Sequence, residues 1–522
     1  NSAMALTTIS SLPYTASTTG ETYELGRDLT TSGTGISVTA DNITIDFKGY
    51  ELTFGTGNGA DVDGVYGSFN IDNLTVYSSV AGGAITHGGT GNPQGVNGVY
   101  VEEVNTGLSV HNLTITVNSQ AAADMSCGVL AKRARNPEFY NLTIDNNASY
   151  VANRHSVPAG GLCVELDTAT ASTSLSIHDN TISSTHMGMT ITGSLSSGGT
   201  DFLAGLVHSN TININQVATN AYAIRWRGPD NASIYSNTIT TSGNGGRGIT
   251  LEHADYIDVY SNTITAGESY TPESSWVNLI RMRYGLRYSK VRDNTLSVLC
   301  GQSGYKSGRA IYATAVANID ASNPLDVDNQ ITGNTITVNN QSSSESCRGL
   351  QFGSLATGHN LIVTGNDITT NNHAVYFFPD VMNEDVNDLT LSINNITGVD
   401  GSGYGITERS YYATLDSSQG KEVVNLTISS DEYCGTLSRT DLASAGTGTF
   451  DYTFTGDSVE CAGSPSTETS CTDSVDNDID GLTDCDDTDC SADTACSAPS
   501  TGQPCYSGSQ AVYPGSLPVY AP

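Results

Sequence analysis

The chain has 522 residues, and its 54 Asp and Glu residues outnumber its 20 Lys and Arg residues, giving a formal net charge of −34. Such acidity argues against nucleic acid or an anionic membrane surface as a partner, and it favours divalent cations and cationic groups. No apolar run approaches the ~20 residues that a membrane-spanning helix requires, so no membrane span is predicted.

Residues 1–30 are predicted to form an N-terminal arm or cap. The first 20 residues are rich in Ser and Thr and carry apolar residues at alternate positions. This pattern fits a strand that covers the first repeat of the following segment. It also fits an arm that pairs with a neighbouring molecule.

Residues 31–430 repeat one short phrase, which occurs twice in the segment 232–265, ASIYSNTITTSGNGGRGITLEHADYIDVYSNTIT. An asparagine follows a run of alternating apolar residues and precedes Thr, or in two copies Asp or Asn, and then an aliphatic residue, at intervals of 25 to 40 residues. One form has a residue between Asn and Thr, at Asn42, Asn73, Asn112, Asn141 and Asn425. The other form lacks it, at Asn180, Asn210, Asn237, Asn262, Asn294, Asn334, Asn366 and Asn394.

A second marker, a small residue before an aliphatic one, falls between most of these asparagines, as in Gly98-Val99 and Gly248-Ile249. Alternating Val, Ile, Thr and Tyr predict β-strands. Short strands repeated at a steady interval predict the coils of a solenoid, and an asparagine at each bend can form a hydrogen-bonded ladder along the stack.

The pattern resembles the right-handed parallel β-helix proteins of the pectate-lyase-like superfamily, secreted by bacteria, over roughly residues 20–430. The resemblance implies an all-β solenoid of about a dozen coils. That fold carries lyases, hydrolases, epimerases, phage spikes and adhesins, so function has to be argued from a site.

Counting outward from the second marker places charged and aromatic residues on one exposed strand face. The candidate glycan-facing residues are Arg225, Arg227, Glu252, Arg281, Arg283 and Tyr312. Arginine forks bind carboxylates and aromatic rings stack on sugars, so this row could hold an acidic polysaccharide. Alternatively, opposite charges stacked in register simply stabilise the solenoid surface, and the sequence favours this interpretation.

Catalysis has weaker support from the sequence. Glycoside hydrolysis needs two carboxylates about 5–10 Å apart, and no such pair is predicted on adjacent coils of this face. The short motifs of polygalacturonases are missing from the solenoid, and the histidines, such as His178 and His208, are interpreted as single structural residues. A polysaccharide lyase or hydrolase, or a glycan-binding module, is therefore the alternative hypothesis.

Residues 431–465 are predicted to form a capping hairpin, and residues 466–497 form a different, Asp- and Cys-rich module. From Asp476 the spacing D-x-D-x-D-G-x-x-D-x-x-D resembles thrombospondin type 3 repeats and the EF-hand loop. The resemblance implies a Ca²⁺ site formed by Asp476, Asp478, Asp480, the Leu482 carbonyl, Asp484 and Asp487. The alternative is a disordered acidic linker. Residues 498–522 are a Pro/Ser/Gly-rich tail.

Eleven cysteines, seven of them after residue 430, indicate an oxidising compartment. The leading hypothesis is therefore a secreted or cell-surface structural or adhesive protein. Its expected partners are further copies of itself, in a fibre, or an extracellular polysaccharide, and its expected cofactor is Ca²⁺.

Overall fold

The computed structural model describes residues 6–377, apart from residues 92–94, 105, 119–125, 148–159, 167–173, 194–201, 216–220, 243–245, 267–275, 284, 301–306, 315–328, 341–345, 353–360 and 371–372. Beyond residue 377 it describes the strands named below and residues 472, 490, 491 and 496. Every strand pairing in these parts is parallel. The chain visits three sheets in turn, which makes it a parallel β-helix, right-handed as crossovers between parallel strands are.

Sheet 1 precedes the asparagine turn of each coil. Its strands are Leu6–Ile9, Thr22–Leu25, Ile43–Asp46, Leu74–Tyr77, Leu108–His111, Glu138–Tyr140, Ser174–His178, Phe202–His208, Asp230–Tyr235, Ile257–Tyr260, Lys290–Arg292, Asn329–Thr332, Leu361–Thr364, Val386–Asn387 and Leu389–Ser392.

Sheet 2 follows that turn. Its strands are Leu29–Thr30, Glu51–Phe54, Ala84–His87, Thr114–Val117, Thr143–Asn146, Thr181–Ser184, Thr211–Asn215, Thr238–Ser242, Thr263–Ala266, Thr295–Cys300, Thr335–Asn340, Asp367–Thr370 and Asn395–Gly398.

Sheet 3 contains the second marker and has 14 strands among the described residues. They are Tyr14–Ala16, Ile36–Val38, Asp63–Gly67, Asn97–Val101, Cys127–Ala134, Gly160–Leu166, Met187–Thr192, Tyr222–Arg227, Arg247–Glu252, Trp276–Arg283, Ser307–Thr314, Ser346–Phe352, His373–Phe377 and Ala413–Leu415.

Columns of aliphatic side chains fill the interior of the helix. Ile144, Ile182 and Ile212 stack in register on sheet 2 and are at most 1% exposed. Glycine at the second marker leaves room for this column, because a Cβ on Gly98 would lie 2.3 Å from Cγ2 of Ile115. The glycine of the marker therefore indicates close packing between sheets 2 and 3.

The two asparagine forms are not one ladder. The spaced form places Asn112 and Asn141 on the exposed, left-handed position of the turn, with φ of 56° and 52°. The unspaced form lies one residue later and is buried, so that Asn180 occupies the position of Leu142 in the preceding coil. Sequence alone merged the two because both precede the same Thr-Ile pair.

The buried asparagines form a continuous ladder of side-chain hydrogen bonds. Asn210 donates from Nδ2 to Oδ1 of Asn237 over 2.9 Å, and Asn237 donates in the same way to Asn262. The backbone N–H of each also donates to the next Oδ1, at 3.1 Å for Asn210. The same bonds join Asn180, Asn210, Asn237, Asn262, Asn294, Asn334 and Asn366.

An aromatic column runs along the outside of sheet 1, where successive strands end in stacked rings. Centroids lie 4.4 to 5.2 Å apart. The column consists of Tyr77, His111, Tyr140, His178, His208, Tyr235 and Tyr260. The guanidinium of Arg292 continues it, 4.2 Å from the Tyr260 centroid. The interpretation of His178 and His208 as scattered single residues is therefore wrong.

The last described strands of the solenoid, Val423–Cys434 and Phe450–Val459, pair in parallel. The prediction of a capping hairpin at 431–465 is wrong in this respect, because a hairpin would pair them antiparallel. The strand Val423–Cys434 also pairs with strands of both sheet 1 and sheet 2. The alternating pattern correctly predicted the strand Phe450–Val459, but it did not identify the strand with which it pairs.

The chain divides into two compact units, Asn1–Ala462 and Gly463–Pro522. In the first unit a disulfide joins Cys127 to Cys163 on neighbouring strands of sheet 3. Cys347, Cys490 and Cys496 are also disulfide-bonded. No helix within the described residues is long and apolar enough to cross a membrane.

Candidate functional site

The candidate site lies on the outer face of sheet 3, in the middle of the solenoid. The expectation that this face is exposed is wrong for part of it, because Arg225, Glu252 and Tyr312 are only 5%, 1% and 6% exposed. On the strand Tyr222–Arg227, Ile224 and Trp226 are fully buried in the core, so the alternate residues Arg225 and Arg227 project outward. The next four strands repeat this arrangement. The outward arginines of these five strands together form what we call the arginine face. It consists of Arg225, Arg227, Arg247, Arg281, Arg283, Arg309 and Arg348.

The register predicted from the sequence is confirmed. Arg227 pairs with Glu252, and Glu252 pairs with Arg283 on the following strand. The neighbouring row runs through Arg225 and Arg281 to Tyr312, with Thr250 between the two arginines.

A third row was not selected from the sequence. Arg247, Arg309 and Arg348 lie at equivalent positions near the start of their strands, in register with Tyr222 and Asn278. These arginines precede the second marker, where strand alternation predicts an inward position. At the marker both residues face the core, because Ile249 is fully buried and a Cβ on Gly248 would lie 2.8 Å from Cγ2 of Ile264. The repeated Arg-Gly or Arg-Ala before an aliphatic residue was the available signal.

Glu252 is the acidic centre of this face and is 1% exposed. Its Oε2 accepts a 2.9 Å bond from Nη2 of Arg225 and lies 3.7 Å from Nε of Arg227. Its Oε1 lies 3.3 Å from Nε of Arg283. Burial alone would raise the pKa of Glu252, but the charges of Arg225 and Arg283 outweigh it and lower the pKa below its usual value. Glu252 is therefore an ionised partner of three arginines.

The other end of the face is held by neutral side chains. Nη1 of Arg348 donates to Oε1 of Gln351 over 2.7 Å, and Nε of Arg309 donates to the same oxygen. The guanidiniums of Arg309 and Arg281 lie over the Tyr312 ring, at 4.6 and 5.4 Å from its centroid. Neutral partners orient the arginines without cancelling their charge.

The electrostatics of the face favour an added anion. Burial, followed by the charge of Arg281, lowers the pKa of Arg283 to about 9. Burial likewise lowers the pKa of Arg309 to about 9, with Arg348 contributing. Desolvated like charges raise the free energy of the protonated state, and a bound anion would relieve this cost.

Several buried polar atoms of the face have no hydrogen-bond partner among the described residues. They are Nε of Arg281, Oγ1 of Thr250 and Nε2 of Gln351. Buried polar groups are nearly always satisfied, so the described part of this face has unmet hydrogen-bonding capacity. The arrangement can bind a ligand rich in anionic oxygens.

The predicted Ca²⁺ ligands, Asp476, Asp478, Asp480, Leu482, Asp484 and Asp487, lie outside the described residues. Within the described part of the chain, no group of three or more His, Cys, Asp or Glu side chains is placed to hold a metal ion. The Ca²⁺ site therefore stays a prediction from the spacing of the aspartates.

No family model matches the chain, and no curated protein matches it. Among solved structures, it is similar to a mutant tailspike protein of E. coli bacteriophage HK620 in complex with a pentasaccharide. The identity is 12% and the TM-score 0.22, over 87% of this chain and 72% of that chain. The architecture of this protein rests on its own strand pairing, and its site on its own side chains.

Proposed function

We propose that this protein is a structural or adhesive β-helix of the cell surface or extracellular space that binds an acidic polysaccharide through the arginine face. One observation carries the proposal. Seven arginines lie on the outer side of five successive strands of one sheet, three of them around Glu252, in a chain whose net charge is −34. A cluster of arginines on a strongly acidic protein does little for solubility, and it is better explained by recognition of an anion.

The spacing of the arginines suits a polymer. Adjacent strands lie about 4.8 Å apart, so five strands extend the face over roughly 19 Å. A single small anion would engage one or two guanidiniums, whereas a polyuronate or sulfated glycan presents acidic groups along its length. Guanidinium forks bind carboxylate and sulfate through paired hydrogen bonds.

Turnover of the glycan at this face has less support. A general acid or base works best with a pKa near the operating pH. The three arginines around Glu252 lower its pKa, which makes it a poor proton donor at neutral pH. Binding is therefore favoured over hydrolysis or elimination here.

Titration with polygalacturonate tests the proposal. We expect the wild type to bind it, more weakly as salt rises, and the double variant Arg281→Gln/Arg283→Gln to bind at least about tenfold more weakly, since each lost charged hydrogen bond is worth about 1.5–3 kcal/mol. Arg292→Gln is the matched control, because this arginine pairs with Asp258 on sheet 1. Equal binding by the wild type and the double variant would contradict the proposal, and release of unsaturated chain ends would favour the lyase alternative.

Self-association into a fibre is a second proposal, supported by the first coil. The strand Leu6–Ile9 pairs with Thr22–Leu25, and no partner on its other edge lies among the described residues. Leu6 is 61% exposed there. An open edge can pair with another chain. Sedimentation at increasing protein concentration tests self-association, and a protein that stays monomeric at every concentration would contradict the proposal.

The proposed location outside the cell is supported by the disulfide between Cys127 and Cys163. Disulfides persist in oxidising compartments and are rare in the cytosol.

A further inference from the structure

A second candidate site, a pocket, lies on the same outer face of sheet 3, near the N-terminal end of the solenoid. It is a pocket of about 370 Å³, within the range of roughly 300–1,000 Å³ that is usual for small-molecule sites. The polar and aromatic residues that line it include Asp61, Asp63, Tyr66, Asn97, Tyr100 and Lys132. None of them belongs to the arginine face, which begins four strands further along the sheet from Tyr100.

Asp63 is held in one orientation in this pocket. It is 5% exposed, and its Oδ1 accepts a 2.9 Å bond from Nδ2 of Asn97. The amide of Asn97 is itself oriented, because its Oδ1 accepts the backbone N–H of Cys127 at 3.0 Å. Burial, opposed by the Asn97 bond and reinforced by Asp61, raises the pKa of Asp63 to about 7. A carboxyl kept in this environment costs the fold stability at neutral pH, which is typical of groups retained for a function.

Two tyrosines form an aromatic wall beside Asp63. Tyr66 and Tyr100 pair in register on neighbouring strands, with centroids 5.5 Å apart and ring planes inclined by 51°. Both rings are half-buried, and Nζ of Lys132 lies 5.5 Å from the Tyr100 centroid. Burial raises the pKa of both phenols, so they remain neutral hydroxyl groups at physiological pH.

We propose that this pocket binds one uncharged sugar ring, such as a neutral hexose unit of a glycan. The apolar face of the ring would pack on Tyr66 and Tyr100, and its hydroxyls would donate to the carboxylates of Asp63 and Asp61. Lys132 would donate to a hydroxyl or ring oxygen. Above about pH 7, where Asp63 is ionised, two carboxylates against one ammonium repel a uronate, so the pocket and the arginine face select ligands of opposite character.

Saturation-transfer NMR with the methyl glycosides of glucose, galactose, mannose and N-acetylglucosamine tests the proposal, with glucuronate and galacturonate as charged counterparts. We expect at least one neutral glycoside to bind, and the uronates to bind at this pocket at least about tenfold more weakly. Tyr100→Ala should abolish the signal, whereas Tyr50→Ala, a half-exposed tyrosine outside the pocket, should leave it unchanged. No binding of any neutral glycoside at about 10 mM would overturn the proposal.

Asp63→Asn separates loss of binding from loss of folding. A raised folded-state pKa means that the stabilising contribution of protonated Asp63 is complete below the unfolded value and is lost as pH rises through about 7. At about pH 8 the variant should therefore melt at or above the wild-type temperature while binding the neutral glycoside at least about tenfold more weakly. Unchanged affinity in this variant would contradict the assignment of Asp63.

Failure of this proposal is distinguishable from failure of the polysaccharide proposal. Arg281→Gln/Arg283→Gln should lose polygalacturonate binding and keep the neutral glycoside, and Tyr100→Ala should do the reverse. If both variants lose the neutral glycoside, the pocket is not an independent site and the proposal falls.

Discussion

At the residue scale, the turns of this solenoid depend on asparagine side chains that form hydrogen bonds with backbone groups of the turn. Asn237 donates Nδ2 to the carbonyl oxygen of Val207 at 3.0 Å, and its Oδ1 accepts both the backbone N–H and the Nδ2 of Asn210. It therefore satisfies polar groups that the bend would otherwise leave buried and unpaired. Asparagine fits because its short side chain carries two amide N–H donors beside an acceptor oxygen, so it can donate along and across the turn while accepting from the preceding coil.

We expect Asn237→Ala to lower the free energy of unfolding by about 1–3 kcal/mol, because it leaves buried polar groups without partners. Asn141→Gly is the matched control. Asn141 is exposed with φ of 52°, and Gly333 occupies the equivalent place in a later coil. Thermal melting of both variants checks the expectation, and a wild-type melting temperature for Asn237→Ala would refute the role of the buried ladder.

Glu252 balances the charge of neighbouring arginines, and its removal would leave their charge uncompensated. Replacing one member of a buried ion-pair network leaves uncompensated charge, at about 3–5 kcal/mol. We expect Glu252→Gln to destabilise the fold by this order, because Arg225, Arg227 and Arg283 lose their shared carboxylate. Glu102→Gln, at an exposed pair with Arg133, should cost far less. Added polygalacturonate should raise the melting temperature of Glu252→Gln more than that of the wild type, if the face binds anions.

At the element scale, the aromatic column couples neighbouring strands of sheet 1 through histidine rings that can titrate. Burial, followed by the charge of His178, lowers the pKa of His208. Burial also lowers the pKa of His111. The folded state thus favours neutral rings, which stack without mutual repulsion.

The sign of the pH effect follows from this direction. With folded-state pKa values below the unfolded value of about 6.5, the unfolded chain takes up protons first as pH falls, so the stabilising contribution is complete above about pH 6.5 and is lost below it. We expect His208→Tyr, which copies Tyr235 in the next coil, to lose less stability between about pH 7 and pH 5 than the wild type. Parallel melting curves for the two proteins would contradict this.

At the scale of the whole molecule, the two units should respond differently to Ca²⁺. The aspartates from Asp476 to Asp487 repel one another without a cation, and binding Ca²⁺ would remove that repulsion and order the loop around Gly481. The described coils of the solenoid are held by parallel strand pairing and a continuous apolar core, so we expect them to keep their fold without Ca²⁺.

We therefore expect chelation to leave the β-sheet circular dichroism signal intact and to make the chain protease-sensitive between Cys471 and Cys496. Asp480→Ala should reproduce this in the presence of Ca²⁺, while Asp145→Ala, on sheet 2 of the solenoid, should not. Equal resistance of this segment to protease with and without Ca²⁺ would count against the metal site.

Much of the solenoid could be predicted because each coil repeats the same local chemistry. The asparagine phrase and the small-aliphatic marker located the strands, and counting between them placed Arg227, Glu252 and Arg283 in register. In a parallel stack, residues at the same distance from the marker of their own coil lie next to each other in space. Such contacts can therefore be predicted from the sequence alone.

Other features depended on the geometry between elements. The two asparagine ladders differ by one residue at the turn, and only the backbone shows that Asn141 is exposed while Asn180 is buried. The pairs Asp63–Asn97 and Tyr66–Tyr100 share one spacing along the chain, but only the structure shows that a pocket forms there and that Asp63 is buried in it. The parallel pairing of Phe450–Val459 likewise does not follow from its alternating pattern. The sequence by itself determined the repeat, the strand faces and the stacked charges, because these follow from local periodicity. The tertiary structure decided which polar groups are buried together, because burial depends on how the sheets close around them.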